Sequence, residues 1–191
     1  ISPEFDDTKW RRVDLPHDYV LEGTYVRMDD KPGRTHGDLP VEVGWYRKRL
    51  SIPDSEQGKV LRLDFDGVFR DSQVWLNGQL LGRHPGGYTP FSYDVSKIAK
   101  PGAGNILAVR VDPREFEGHW YEGGGIYRHV YLTTLAPVHV AKWGTYVVSK
   151  VSDGQANLTI KNILENAGTI PVNCEVISEI VGPDGQPLPA I

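Results

Sequence analysis

Gln73-Val74-Trp75-Leu76-Asn77-Gly78-Gln79-Leu80-Leu81 reads as two short apolar runs joined by Asn-Gly. A tight two-residue hairpin needs positive φ at both central positions, and Asn and Gly both tolerate it. The stretch is therefore expected to be a β-hairpin, with Gln73 to Leu76 leading in and Gln79 to Leu81 returning. The same pattern continues outward in both directions. Upstream, Val60-Leu61-Arg62-Leu63-Asp64-Phe65 alternates apolar and charged residues, and Gly44 to Ile52 reads as a strand ended by Pro53. Downstream, Asn105 to Val111 alternates again and Tyr127 to Thr133 forms a further run. No long segment has a helical period; Val95 to Lys100 could make one turn. With 21 Gly and 14 Pro punctuating short strands, the chain is expected to be all-β, a sandwich or jelly roll. Trp45, Trp75 and Phe91 are expected in its core.

A boundary is expected at Leu135-Ala136-Pro137, giving residues 1–135 and 136–191 as two domains. Beyond it the aromatics thin out and Val and Ile take over. Strands are expected at Val138–Ala141, Thr145–Val151, Asn157–Ile163 and Val172–Val181, with Pro183-Asp184-Gly185 as a turn. An immunoglobulin-like sandwich uses about seven strands and 100 residues. Residues 136–191 are therefore expected to form only part of one. An uncovered sheet face is expected either to drive a homodimer through 136–191 or to leave that segment poorly packed.

Composition excludes several function classes. A net charge of −4 offers no electrostatic case for nucleic acid. No run of about 18 apolar residues exists, so no membrane-spanning helix is expected. The one cysteine, Cys174, is expected to be a small buried side chain. No Cys or His spacing suggests a metal site, and no cofactor is expected. Gly86-Gly87 and Gly123 to Gly125 are not phosphate loops, since no helix and no Lys-Ser/Thr follow. Asn157-Leu158-Thr159 matches a glycosylation acceptor.

Gly118-His119-Trp120-Tyr121-Glu122-Gly123-Gly124-Gly125-Ile126-Tyr127-Arg128 is the richest stretch for chemistry. Two large aromatics and several charges stand beside three consecutive glycines, which admit backbone shapes other residues resist. Aromatic rings cover the apolar faces of sugars, while carboxylates, His and Arg bond the hydroxyls. Glu117, His119, Trp120, Tyr121, Glu122 and Arg128 supply that mixture. They are the candidate carbohydrate-binding or domain-interface residues. Arg128, at a strand start, is expected to make a structural salt bridge. His17-Asp18 is expected to pin backbone groups of the leading segment rather than act as a dyad. Tyr88, beside the Pro85-Gly86-Gly87 turn, is read as loop packing or as an exposed ring.

These motifs, in this order, closely resemble the N-terminal sugar-binding domain of family 2 glycoside hydrolases, the β-galactosidase and β-glucuronidase group. Phe5 to Trp10 with Leu15-Pro16-His17-Asp18 resembles the family's leading segment. Gly44-Trp45-Tyr46-Arg47-Lys48, Phe65-Asp66-Gly67-Val68, Val74 to Gly78, Gly86 to Phe91 and Trp120 to Arg128 follow in register. The resemblance implies a jelly-roll, galactose-binding-like β-sandwich followed by the start of an immunoglobulin-like domain. It also implies that the catalytic carboxylate pair of the parent hydrolase sits on a barrel. Such a barrel needs about 250 residues, more than this chain has in all. The expected role is thus non-catalytic: buttressing the barrel and shaping its carbohydrate pocket. A free-standing carbohydrate-binding module is the alternative. In relatives, the residue just before the loop Trp reaches the sugar. Here His119 stands there, or Gly118 if one residue is gapped, and the nearest acid is Glu117.

Overall fold

The computed structural model describes residues 2–25, 39, 41–115 and 121–188. Its described residues form nine strands and no α-helix. The chain divides into two units, Ile1–Thr134 and Leu135–Ile191.

In the first unit, β1 (Gly44–Ser51), β2 (Val60–Phe65), β3 (Ser72–Leu76), β4 (Gln79–His84), β5 (Phe91–Asp94), β6 (Gly104–Val111) and β7 (Val130–Leu135) build two sheets. One has the order β1-β6-β3-β4 and the other β5-β2-β7. The hairpin forms as expected: Asn77 (φ 53°) and Gly78 (φ 83°) turn β3 into β4. Asn77 is also pinned by its side chain. Its Nδ2 donates to Ile98 O and Asn105 Oδ1 at 3.1 and 2.9 Å, and its Oδ1 accepts from Ile106 N. Val95 to Ala99 makes one helical turn, with Ala99 N donating to Val95 O.

Alternation decides which side chains fill the space between the sheets. Leu61, Leu63 and Phe65 point in from β2, Val74 and Leu76 from β3, and Leu107, Val109 and Val111 from β6. Each such residue removes apolar surface from water, at about 25 cal/mol per Å². Asp64 is buried, but Arg62 and Thr133 both hydrogen-bond its carboxylate, which offsets the cost of desolvation.

Trp45 and Trp75 are not core residues. In register, Trp45 faces Arg110, while Arg47 and Trp75 both pair with Ala108. This is the outer face of the four-stranded sheet; Tyr46, Val74 and Leu76 take the inner positions. The two indoles sit 5.5 Å apart, and Trp45 stays 38% exposed. Phe91 does pack against the core, stacked on Phe65 at 4.8 Å. The leading segment lies over the same outer face. Arg47 ties it down by donating to Pro3 O and Phe5 O and by pairing with Asp7. Phe5, Trp10, Trp45, Arg47 and Ala108 thereby line an apolar cleft of about 270 Å³.

The second unit is a two-stranded antiparallel ribbon, β8 (Val138–Ser152) and β9 (Gln155–Asn166). The two expected strands Val138–Ala141 and Thr145–Val151 are one strand with a register shift between Val140 and Thr145. Trp143, at φ 59° and 83% exposed, sits in that irregularity. Val147, Val151, Leu158 and Ile160 share one face of the ribbon and remain exposed. The expected strand Val172–Val181 does not form; only a Val181–Pro187 bridge closes the Pro183-Asp184-Gly185 turn. Its alternation favours a strand, but among the described residues no neighbouring strand satisfies its backbone groups. Cys174, within it, is consequently exposed rather than buried.

Candidate functional site

The leading segment and the glycine stretch come together at one end of the sandwich. Two backbone links join them, His17 N to Ile126 O (2.8 Å) and Tyr19 N to Gly124 O (2.9 Å), and a Phe69–Gly125 pair at 2.7 and 2.9 Å ties the β2–β3 connection to the glycine stretch. Gly125 must be glycine here. Its φ is 141°, and a Cβ would lie 2.5 Å from both His17 O and the Tyr46 hydroxyl.

Side chains complete the junction. Asp18 Oδ1 accepts from Val20 N and Gly124 N, each at 3.0 Å, and Asp18 Oδ2 accepts from the Tyr121 hydroxyl at 2.7 Å. This is backbone pinning, as expected, but it reaches across more than 100 residues to the glycine stretch as well as within the leading segment. Partial burial and then the adjacent Asp18 carboxylate hold the Tyr121 phenol proton on well above its usual range. Arg70, itself buried, donates to Glu115 O at 3.3 Å. Both flanks of residues 116–120 are thus anchored, Glu115 by Arg70 and Tyr121 by Asp18.

His17 and Tyr46 hydrogen-bond at 2.8 Å, and His17 Nε2 lies 3.1 Å from Glu22 Oε1. The Tyr46 phenol is pushed up to about 12 by burial. The His17 imidazole is pushed down, first by burial and then by the Arg11 guanidinium. Glu22 would favour the imidazolium, but it is already closely paired with Arg11. The geometry therefore favours neutral His17.

The candidate residues fare unequally. Tyr121 lies at the junction and is 36% exposed; Glu122 is buried beside it. Glu117, His119 and Trp120 lie outside the described residues. Arg128 makes no ion pair among the described residues. Its guanidinium lies 5.7 Å from the neighbouring Tyr127 ring, so the expected salt bridge is replaced by a cation–π contact. Tyr88 leans on Phe69 at 5.4 Å while remaining exposed. Asp18 and Arg70 were not singled out as site residues. Their partners are far away in sequence, and no local pattern reveals them.

Other carboxylates are engaged in structure. Asp7 pairs with Arg47 and Arg49, Asp71 with Arg83, and Asp112 with Arg110 and Arg114. The Asp112 carboxyl is held well below its usual range, chiefly by the Arg114 hydrogen bonds. No cluster of three or more His, Cys, Asp or Glu among the described residues could hold a metal ion.

Residues 35–136 match the family described as glycosyl hydrolases family 2, sugar binding domain. The chain belongs to that family. A β-galactosidase, BoGH2A of Bacteroides ovatus, is 43% identical over 187 residues, which is 97% of this chain and 22% of that protein. A putative β-glucuronidase of Formosa agariphila is 40% identical over 144 residues, covering 72% of this chain and 14% of that protein. Among solved structures, a β-glycosidase from Bacteroides vulgatus superposes with a TM-score of 0.85 at 34% identity, over 97% of this chain and 24% of that one. The chain thus spans about a fifth of the length of the family 2 relatives it matches. What it carries is the family's non-catalytic sugar-binding domain and the residues after it.

Proposed function

We propose that this chain serves, within a family 2 hydrolase of β-galactosides, as a wall of the carbohydrate pocket, with residues 117–128 facing the sugar where the domain meets a catalytic barrel. The observation that supports this most is the double anchoring of that stretch. Arg70 holds Glu115 and Asp18 holds Tyr121. By the resemblance to the family, the carboxylate pair that cleaves the glycosidic bond, two carboxyls about 5–5.5 Å apart in a retaining enzyme, lies on the barrel. A galactoside is favoured over a glucuronide because the β-galactosidase relative is 43% identical over 97% of this chain, whereas a β-glucuronidase matching 95% of it is 28% identical. For residues 136–191 the proposed partner is a second copy, through the exposed Val147, Val151, Leu158 and Ile160 face.

One observation favours a second reading, a free-standing carbohydrate-binding module. The outer-face cleft has an aromatic floor in Trp45, Trp10 and Phe5, and such rings suit the apolar face of a pyranose. Titration of the chain with lactose, galactose and glucuronic acid, followed by NMR, separates the readings. Weak galactoside-induced shifts centred on residues 121–128 support the pocket wall. Tight binding that is lost in Trp45→Ala would replace it with the binding module. A response to glucuronic acid alone would change the substrate class.

A further inference from the structure

The structure assigns Asp18 as the positioning residue that holds the glycine stretch, residues 121–126, in one conformation against the leading segment. The assignment rests on geometry alone, and its functional meaning rests on the pocket-wall reading above. One carboxylate serves three donors. Oδ1 takes Val20 N and Gly124 N, and Oδ2 takes the Tyr121 hydroxyl. The first fixes the carboxylate to its own segment, and the other two fix the distant stretch to it. Hydrogen bonds to a charged acceptor are roughly twice as strong as neutral ones.

The glycines are shaped around this carboxylate. Gly123 adopts φ 75°, and a Cβ there would run into Asp18 Oδ2. Gly124 has no room for a Cβ either, which would lie 2.6 Å from Val20 Cγ2. The triple glycine is therefore explained by close approach to residues 17–20. The charge of Asp18 is also read at Tyr121, whose phenol it helps to keep protonated.

Asp18→Asn keeps an acceptor for both backbone N–H groups and removes the charge. Asp18→Ala removes both. In the full chain, Asp18→Ala should speed amide exchange at Gly124 and its neighbours by about tenfold or more, with β3 and β6 unchanged. Asp18→Asn should keep most of that protection. Both should lower the pH at which Tyr121 ionises, read as the tyrosine signal missing in Tyr121→Phe. A wild-type exchange pattern in Asp18→Ala, or a Tyr121 titration indifferent to both substitutions, would overturn the assignment. If Asp18→Ala fails to fold, Asp18→Asn still decides through the phenol titration. These readouts do not depend on sugar, so a chain that ignores every saccharide would count against the pocket wall and leave the positioning role standing.

Discussion

Single residues at the junction carry consequences that reach beyond their own contacts. His17 is mostly buried, bonded to Tyr46 and held neutral by burial and Arg11. A group whose pKa is lower folded than unfolded stabilises the fold above its unfolded value, near 6.5, and loses that stability as pH falls through its folded value. Thermal stability of the chain should therefore fall from about pH 6.5 downward, and His17→Gln should flatten that part of the profile. A profile unchanged by the substitution would mean that His17 titrates freely. Gly125→Ala tests the same junction by bulk. The added methyl meets His17 O and the Tyr46 hydroxyl in a conformation only glycine accepts easily. A loss of about 2 kcal/mol or more is expected in chemical denaturation. Neither role could be read locally. His17-Asp18 has a suggestive pairing in sequence, but the partners that define it, Tyr46, Tyr121 and Gly124, lie on other elements. Trp45 shows the converse limit. Alternation predicts that neighbours point oppositely but does not say which of Trp45 and Tyr46 faces the core.

At the scale of elements, local chemistry was the readable part. The Asn77-Gly78 turn, the alternation of β2 and β6 and the helical turn after Val95 all express preferences of a few adjacent residues, and each forms where expected. Asn77 shows how the tertiary fold adds to that. Its side chain also bonds Ile98, Asn105 and Ile106, locking the hairpin to β6. Asn77→Ala should thus cost about 2 kcal/mol, from lost hydrogen bonds and a strained positive φ. Asn77→Gly restores only the turn, so it should recover part of the loss. An Asn77→Gly variant as stable as the wild type would show that the side-chain bonds contribute nothing. Val172–Val181 failed as a strand for a reason no propensity contains. A strand needs a neighbour for its N–H and C=O groups, and none is present there among the described residues.

The whole molecule joins a well-filled sandwich to an open ribbon. The family, the β-class and the sugar-binding domain were readable because the motifs that carry them span most of residues 5–132. The second unit was readable only in part, because its strands depend on partners that the pattern cannot supply. An isolated two-stranded ribbon is marginal in water. With Val147, Val151, Leu158 and Ile160 exposed on one face, the chain should self-associate at high concentration. Light scattering should show this, and lysines at Val151 and Leu158 should abolish it. A wild-type chain that stays monomeric at all concentrations would remove the second copy as partner. The central claim is that this sugar-binding domain supplies shape and contacts while the chemistry belongs to a barrel. Incubation of the 191-residue chain with aryl β-galactosides and aryl β-glucuronides tests it most directly. The account predicts no turnover above the uncatalysed rate. Turnover that vanishes on replacing a single carboxylate of this chain would contradict it.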